Sequence, residues 1–172
     1  GRRVITAMAQ EAAGLGMLLI GEDLGERPAE VRRMLDELAR EQRNLKLYHL
    51  LGWREPAVVQ NQDMMLVEAN HDTAATLADR LAEMSSDDLD HLAGVLEALS
   101  SADAAGDVRG LIDGSASRDD IALARGVEAK TLQAGLRSGH RFITLSMQTA
   151  FGWHGRQHRI NVPATVGGNW TW

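Results

Sequence analysis

The sequence contains no cysteine, which excludes disulfide bonds, thiolate metal sites and thiol nucleophiles. This composition fits a reducing compartment, and we expect a cytoplasmic protein. The sequence also lacks any apolar run approaching the ~18–20 residues that cross a membrane. Its first residues, 1-GRRVITAMAQEAA-13, carry two arginines but lack the apolar stretch of a signal peptide. We therefore expect no membrane association.

An excess of basic residues is missing as well. The chain has 18 Lys and Arg against 24 Asp and Glu, a formal charge of −6. That balance argues against a general binder of nucleic acids or of anionic membranes. The rest of the composition is that of a globular protein, because 44% of the 172 residues are hydrophobic and can form a buried core. A chain of this length is expected to form one domain.

Short apolar strands alternate with amphipathic helices along the chain. The stretch after Pro28, for example, repeats apolar residues at i, i+3, i+4 and i+7 from Val31, and Ser86 is expected to cap a later helix. Strands are predicted at 17–20, 45–51, 64–69 and 141–147, and helices at 3–13, 27–43, 73–84, 86–99 and 119–137. The Gly-, Ser- and Asp-rich stretch 100–118 is predicted as a loop with a short helical piece at 108–112, and the tail from 152 as a loop. This alternation predicts an α/β fold with a parallel sheet, and we expect the four strands to lie in it in the order of the sequence.

Two of the predicted strands end in acids. The stretch 17-MLLIGEDLG-25 runs from apolar residues into Glu22, and 65-MLVEANHDTAA-75 runs into Asp72. Sites of α/β folds are built at the carboxyl ends of the strands, so we expect both acids at one edge of the sheet. A partly desolvated Glu22 could act as a general acid while Asp72, beside His71, stays ionised, the pairing that glycosyl transfer uses. Alternatively, Asp72 only caps the next helix.

Three motifs, in this order, resemble the C-terminal half of the family 77 glycoside hydrolases, the 4-α-glucanotransferases. The stretch 20-IGEDLG-25, followed by 28-PAEVRRML-35, resembles the family's strand-five signature. The stretch 70-NHDT-73 resembles its strand-seven His-Asp motif, and 161-NVPATVGGNWTW-172 is similar to its Asn-x-Pro-Gly-Thr-x-x-x-Asn-Trp ending. The family is related to the α-amylases, so the resemblance implies an α/β fold, namely strands five to eight of a (β/α)8 barrel.

The resemblance implies roles for four residues. Glu22 matches the general acid/base, and Asp72 matches the residue that stabilises the transition state. His71 matches a histidine that binds a sugar hydroxyl, and Asn161 lies in a loop that borders the glucan site. The implied substrates are α-1,4-glucans or maltooligosaccharides, with glucose as acceptor, and the implied mechanism is retaining, through a covalent glucosyl-enzyme intermediate. The resemblance implies no metal or organic cofactor and no nucleic-acid or membrane partner.

The chain departs from the family pattern in several places. The family's nucleophile is an Asp at the end of strand four, in an Arg-x-Asp-His type motif, and nothing like it precedes Glu22. Thr149 stands where the family usually has Asp, Ala164 where it usually has Gly, and 77-LADRL-81 where it usually has an aromatic pair. A complete barrel takes about 250 residues. We therefore expect residues 1–172 to form a single partial catalytic barrel domain without the N-terminal half and its nucleophile, inactive and poorly soluble or oligomeric by itself.

Other interpretations are open at this stage. Residues 119–141 resemble a helix-turn-helix with Gly126 in the turn, although the acidic charge argues against DNA binding. His154 and His158 have the i, i+4 spacing of a helical zinc site, but the tail's glycines argue against a helix. The tail's three tryptophans could stack on glucose rings or pack in a core. An α-amylase-clan hydrolase, with water as acceptor, and an inactive truncated product are the competing functions.

Overall fold

The computed structural model describes residues 1–22, 28–50, 65–70, 73, 75–162 and 165, and for residues 22 and 48–50 it describes the backbone alone. The strands within these ranges are Leu19–Glu22 (β1), Leu45–Leu50 (β2), Met65–Val67 (β3) and Phe142–Thr144 (β4). The helices are Arg2–Gly14 (α1), Ala29–Glu41 (α2), Leu77–Glu83 (α3), Ser86–Ala98 (α4), Ala102–Asp113 (α5), Ile121–Arg137 (α6) and Met147–Phe151 (α7). A 3-10 turn follows at Arg156–His158.

The four strands form one parallel sheet in the order β1-β2-β3-β4. The register is staggered, because Glu22 pairs with Tyr48 and Tyr48 in turn pairs with Met65, the first residue of β3. Met65 pairs with Phe142 of β4. The predicted parallel sheet and the order of its strands are thus confirmed, and β1 and β4 are the outer strands of the described sheet.

Helices of the two described core clusters pack on the same face of the sheet. Leu45 and Leu47 of β2 belong to a small cluster with α2, and Leu66 of β3 belongs to a larger cluster with α3, α4, α5 and α6. Leu66 pairs with position 49, two residues beyond Leu47. Because alternate positions of a strand share a face, both clusters cover the same side of the sheet.

The larger cluster is the main core of the described residues. Helix α4 contributes apolar residues at helical spacing, and α5 contributes two alanines among its buried positions. Short alanine side chains allow two helix axes to lie close together. The buried residues of these two helices are Leu89, Leu92, Ala93, Val95, Leu96, Ala104, Ala105, Val108 and Leu111.

Side-chain caps distinguish the helices at the two ends of the sheet. Helices α3, α4, α6 and α7 are capped by the residues that precede them, Thr76, Ser85, Asp120 and Ser146. Each of these side chains accepts a hydrogen bond from the backbone N–H three residues later in the sequence. In α4 this is a complete capping box, so the predicted cap at Ser86 is wrong by one residue. Neither α1 nor α2 has a side-chain cap hydrogen bond.

Three sequence predictions about helices are wrong. The stretch predicted as a loop with a short helical piece is the 12-residue helix α5. The helix predicted from residue 73 begins only at Leu77, since residues 75 and 76 have a bend conformation and Thr76 has the extended backbone of a cap. Helix α6 runs unbroken through Gly126, which contradicts the helix-turn-helix alternative.

Candidate active site at the carboxyl edge of the sheet

Glu22 is the last residue of β1, at the carboxyl end of the strand, as the sequence predicts. The strand differs from the prediction in two respects. It includes Gly21, which was expected in a turn, because β1 begins and ends two residues later than predicted. It is also an outer strand and not a buried one: the side chain of Ile20 is 50% exposed. Glu22 is thus the last residue of a partly exposed strand.

A tight turn follows the carboxyl end of β3. The Asn70 backbone N–H donates to Thr73 Oγ1 at 3.1 Å, and that hydroxyl donates to the Asn70 carbonyl oxygen at 2.9 Å. The Thr73 N–H also donates to the Asn70 carbonyl at 3.2 Å. His71 and Asp72, the two predicted site residues between Asn70 and Thr73 in the sequence, lie outside the described residues. The turn itself lies at the same sheet edge as the end of β1, because the strands are parallel.

Asn161, the fourth predicted site residue, is connected to α3 through an arginine. Arg159 Nε donates to the Asn161 carbonyl oxygen at 3.0 Å, and Arg159 also forms an ion pair of 3.2 Å with Glu83, the last residue of α3. The contact with Arg159 involves only the backbone carbonyl of Asn161. It does not test the expected position of Asn161 beside the glucan, which stays a prediction.

Glu68 is a buried acid that the sequence analysis passed over. It follows β3 directly and is 1% exposed. Its Oε1 accepts the Leu77 N–H at 2.5 Å, and its Oε2 accepts the Ser146 N–H at 3.3 Å. Burial raises the pKa of the Glu68 carboxyl, against the opposing effects of Thr149 and of these two N–H groups. The sequence contains a signal for this buried acid, because Glu68 directly follows the apolar strand residues 65–67. A carboxyl in such a buried stretch is expected to have hydrogen-bond partners.

A second buried carboxyl binds the same end of α3. Glu128 of α6 is 6% exposed, and its Oε2 accepts the Ala78 N–H at 2.8 Å. The first N–H groups of a helix have no partner within the helix and carry partial positive charge. Glu68 and Glu128 therefore satisfy two adjacent N–H groups of α3, and Glu128 adds to the raised pKa of Glu68 through like-charge repulsion.

A surface cleft of about 610 Å³ lies between α3, the start of α6 and the loop after α7. Its lining includes four alanines, four arginines and three acids. In the loop, the Gly155 N–H donates to both oxygens of Asp79 at 3.0 Å, and a hydrogen bond of 3.1 Å joins His154 Nδ1 to Thr76 Oγ1. The charged lining residues are Arg118, Arg125, Arg156, Arg159, Asp79, Glu83 and Asp119.

The histidines and the described tryptophan of the tail have packing partners. Trp153 stacks between Phe151 and His158, with ring centroids 5.1 and 5.9 Å apart. His158 lies in the 3-10 turn and His154 precedes it, so the two do not share an α-helix. Among the described residues no three potential metal ligands come together. The zinc alternative therefore has no support from the described geometry.

The comparisons with known proteins decide the family. A model of the 4-alpha-glucanotransferases, glycoside hydrolase family 77, matches residues 1–172. The chain belongs to glycoside hydrolase family 77. Comparisons with curated proteins and with solved structures find no match. The resemblance drawn from the three sequence motifs is thereby confirmed.

Membership of family 77 gives the chain a 4-α-glucanotransferase-like function in general, with α-glucans as the substrate class. The architecture is a mixed α/β fold that is compatible with part of a glycoside hydrolase. In the described part of the chain, no helix combines the length and the apolar character needed to span a bilayer.

The structure shows what surrounds Thr149, the residue that stands where family 77 usually has Asp. Thr149 is the third residue of α7, and its backbone N–H donates to the capping hydroxyl of Ser146 at 3.1 Å. In a capping box an acid at this position would accept the N–H of the cap residue. Here Glu68 accepts that N–H instead. The chain therefore has a carboxyl at this point, but it comes from the end of β3.

Proposed function

We propose that this family 77 chain carries the acid–base part of a 4-α-glucanotransferase active site. Glu22 protonates the leaving glycosidic oxygen and then accepts the proton of the acceptor's 4-hydroxyl. Asp72 stabilises the oxocarbenium-like transition state, His71 holds a sugar hydroxyl next to the cleaved bond, and Asn161 borders the glucan. The donors are α-1,4-glucans, and the acceptors are maltooligosaccharides or glucose.

The match of the family model to residues 1–172 carries this proposal. The position of Glu22 at the end of β1 supports it, since the turn Asn70–Thr73 leaves β3 at the same edge with β2 between. Neighbouring strands lie about 4.8 Å apart, so the backbones of β1 and β3 are separated by about 9.6 Å. Side chains projecting from both strands over that gap can reach the same sugar.

We further propose that the described sheet is the C-terminal half of a (β/α)8 barrel, strands five to eight. The strands lie in consecutive order, and the helices of both core clusters cover one face. A doubly wound sheet reverses its strand order at a switch point and has helices on both faces. The staggered register from Glu22 through Tyr48 to Met65 also supports a barrel, because closure requires such a stagger.

The nucleophile of the retaining mechanism is proposed to lie outside residues 1–172. A retaining transfer needs a second carboxylate that attacks the sugar from the face opposite the acid. Asp23 and Glu26 lie close to Glu22 in the sequence, so we expect them on the same side of the sugar as the acid. We therefore expect residues 1–172 alone to make no longer maltooligosaccharides from maltotriose.

The test of Glu22 uses the enzyme in which this chain is joined to the nucleophile. Glu22→Gln should lower the turnover of maltotriose disproportionation by about 10²–10⁴-fold, because the leaving oxygen is no longer protonated. Binding of maltotriose should change little. Asp23→Asn is the matched control, since it removes the adjacent acid, and it should keep most of the turnover. Products no longer than maltotriose from the parent enzyme would point to a hydrolase instead.

A second donor separates the role of Glu22 from that of Asp72. The leaving group of α-maltosyl fluoride needs no proton, so Glu22→Gln should still release fluoride in a first turnover. Asp72→Asn should lose that release as well, because the transition state itself is no longer stabilised. Equal losses of fluoride release in both variants would contradict the assignment of Glu22 as the acid.

A further inference from the structure

Glu68 connects three elements around the proposed site. Its carboxyl accepts N–H groups from the first residue of α3 and from the cap residue of α7, and it directly follows β3. We propose that Glu68 is a positioning residue: it fixes the turn Asn70–Thr73 at the carboxyl edge and replaces the acid that a complete capping box of α7 would contain. The inference rests on the proposed function, which assigns this turn to the catalytic site.

The turn is held at both of its ends by the same residue. Before the turn, Arg80 donates to the Glu68 carbonyl oxygen at 2.9 Å. After the turn, the Leu77 N–H donates to the Glu68 carboxyl at 2.5 Å. Glu68 therefore contacts the chain on both sides of the hydrogen-bonded pair Asn70 and Thr73. A shift of Glu68 would move both ends of the turn together.

The connection to α7 comes through an incomplete capping box. Ser146 accepts the Thr149 N–H, which is the first half of the box, but threonine has no carboxylate to accept the Ser146 N–H in return. Glu68 Oε2 lies 3.3 Å from that N–H and accepts it. The Thr149 hydroxyl also interacts with the Glu68 carboxyl. Thr149 and Glu68 therefore together supply the two hydrogen bonds that a capping box of α7 would have.

This sharing makes the two positions interdependent in a way that mutation can measure. In Thr149→Asp, two carboxylates compete for the partly buried Ser146 N–H and repel each other. In Glu68→Gln, the amide oxygen can keep the Leu77 N–H, but the amide nitrogen faces the Ser146 N–H, which loses its acceptor. In the double variant the Ser146 and Leu77 N–H groups both have acceptors. The new carboxylate at position 149 accepts from the Ser146 N–H and from the new amide at position 68, whose oxygen accepts the Leu77 N–H.

A double-mutant cycle in urea unfolding tests the pairing. Each single variant should lower the folding equilibrium constant about 10- to 100-fold, since Thr149→Asp brings two carboxylates together and Glu68→Gln leaves the partly buried Ser146 N–H without its acceptor. The double variant should return to within about threefold of the parent chain, a coupling that only interacting residues show. Additive losses in the double variant, or an unaffected Thr149→Asp chain, would overturn the shared role.

Amide hydrogen exchange tests the positioning of the turn in Glu68→Ala, which removes the acceptor of the Leu77 N–H, with Glu68→Gln, which keeps an acceptor there, as the control. Protection of the Thr73 N–H, which binds the Asn70 carbonyl, should fall at least about 10-fold further in Glu68→Ala than that of the Leu96 N–H in the core, whereas in Glu68→Gln the two amides should change alike. A uniform loss at both amides of Glu68→Ala would reduce Glu68 to a purely structural residue and overturn the positioning role. Neither measurement uses catalysis, so a failure of the Glu22 assay leaves this result unaffected.

Discussion

The two ends of the sheet are stabilised to different degrees. Around β3 and β4, fourteen buried residues of the described chain form one cluster with four helices. Around β1 and β2, the corresponding cluster has four buried residues. The helices differ in a similar way. At the β3 end, α3, α4 and α6 have side-chain caps and only α5 of that cluster lacks one, whereas at the β1 end neither α1 nor α2 has a side-chain cap.

The two outer strands differ in the exposure of their own apolar side chains. Ile20 of β1 is 50% exposed, whereas Phe142 and Ile143 of β4 are half-buried; exposed apolar residues adjoin both strands, Met17 before β1 and Met147 after β4. Glu22 therefore ends a strand of the weakly packed end, whereas Asn70 and Thr73, which flank Asp72 in the sequence, lie at the strongly packed end. The difference indicates that the two proposed catalytic groups depend on separate packing units.

The largest effect that separates the two ends should come from matched leucine truncations. Leu92 in the large cluster and Leu38 in the small one are both fully buried. Leu92→Ala should lower the free energy of unfolding by about 3–5 kcal/mol, and Leu38→Ala by about 2–3 kcal/mol, because a sparse cluster relaxes around the cavity more easily. Urea unfolding of both variants measures this difference. Equal losses would mean that the two ends are equally well packed.

The next effect concerns the buried carboxyl on α6. Glu128→Ala leaves the Ala78 N–H without its acceptor and should cost about 1–3 kcal/mol of unfolding free energy. Glu128→Gln is the control, since its amide oxygen can still accept that N–H, and it should cost less than about 1 kcal/mol. If glutamine costs as much as alanine, the charge of Glu128 and not its hydrogen bond stabilises α3. Thermal and urea unfolding at neutral pH compare the two.

The smallest effect distinguishes two adjacent serines. Ser85→Ala removes the cap of α4 and should cost about 1 kcal/mol, whereas Ser86→Ala changes the first helical residue and should stay within about 0.5 kcal/mol. The pair is measured by urea unfolding on an otherwise identical chain. The opposite ranking would restore Ser86 as the cap and contradict the capping box.

The sequence predicts the strands and their order because the strands are short apolar runs between longer helical patterns. It also contains the signal for the correct cap, since Ser85 is followed three residues later by Asp88, the spacing of a capping box. Helix α5 was missed because Gly106 and Gly110 lower its helix propensity. Packing overrides that propensity, as four residues of α5 are buried against its neighbours.

The site is only partly predictable from the sequence. The motif around Glu22 places it at a strand end, because strand ends can be read from local patterns. The role of Glu68 cannot be read in this way, since one of its two N–H partners, Ser146, is distant in the sequence and is brought close only by the pairing of β3 with β4. Asp72, His71 and the function of Asn161 stay predictions.

The long connection between β3 and β4 has a consequence during synthesis. β3 ends at Val67 and β4 begins at Phe142, and the helices that cover Leu66 lie in the same intervening stretch. At roughly 5–20 residues per second, a ribosome takes about 4–15 seconds to produce that stretch. During this interval the nascent chain has neither a partner strand for one edge of β3 nor a complete cover for Leu66, and an unpaired edge is a template for another chain. A slower ribosome lengthens this exposure, so the yield of folded chain should rise when residues 68–141 are translated faster.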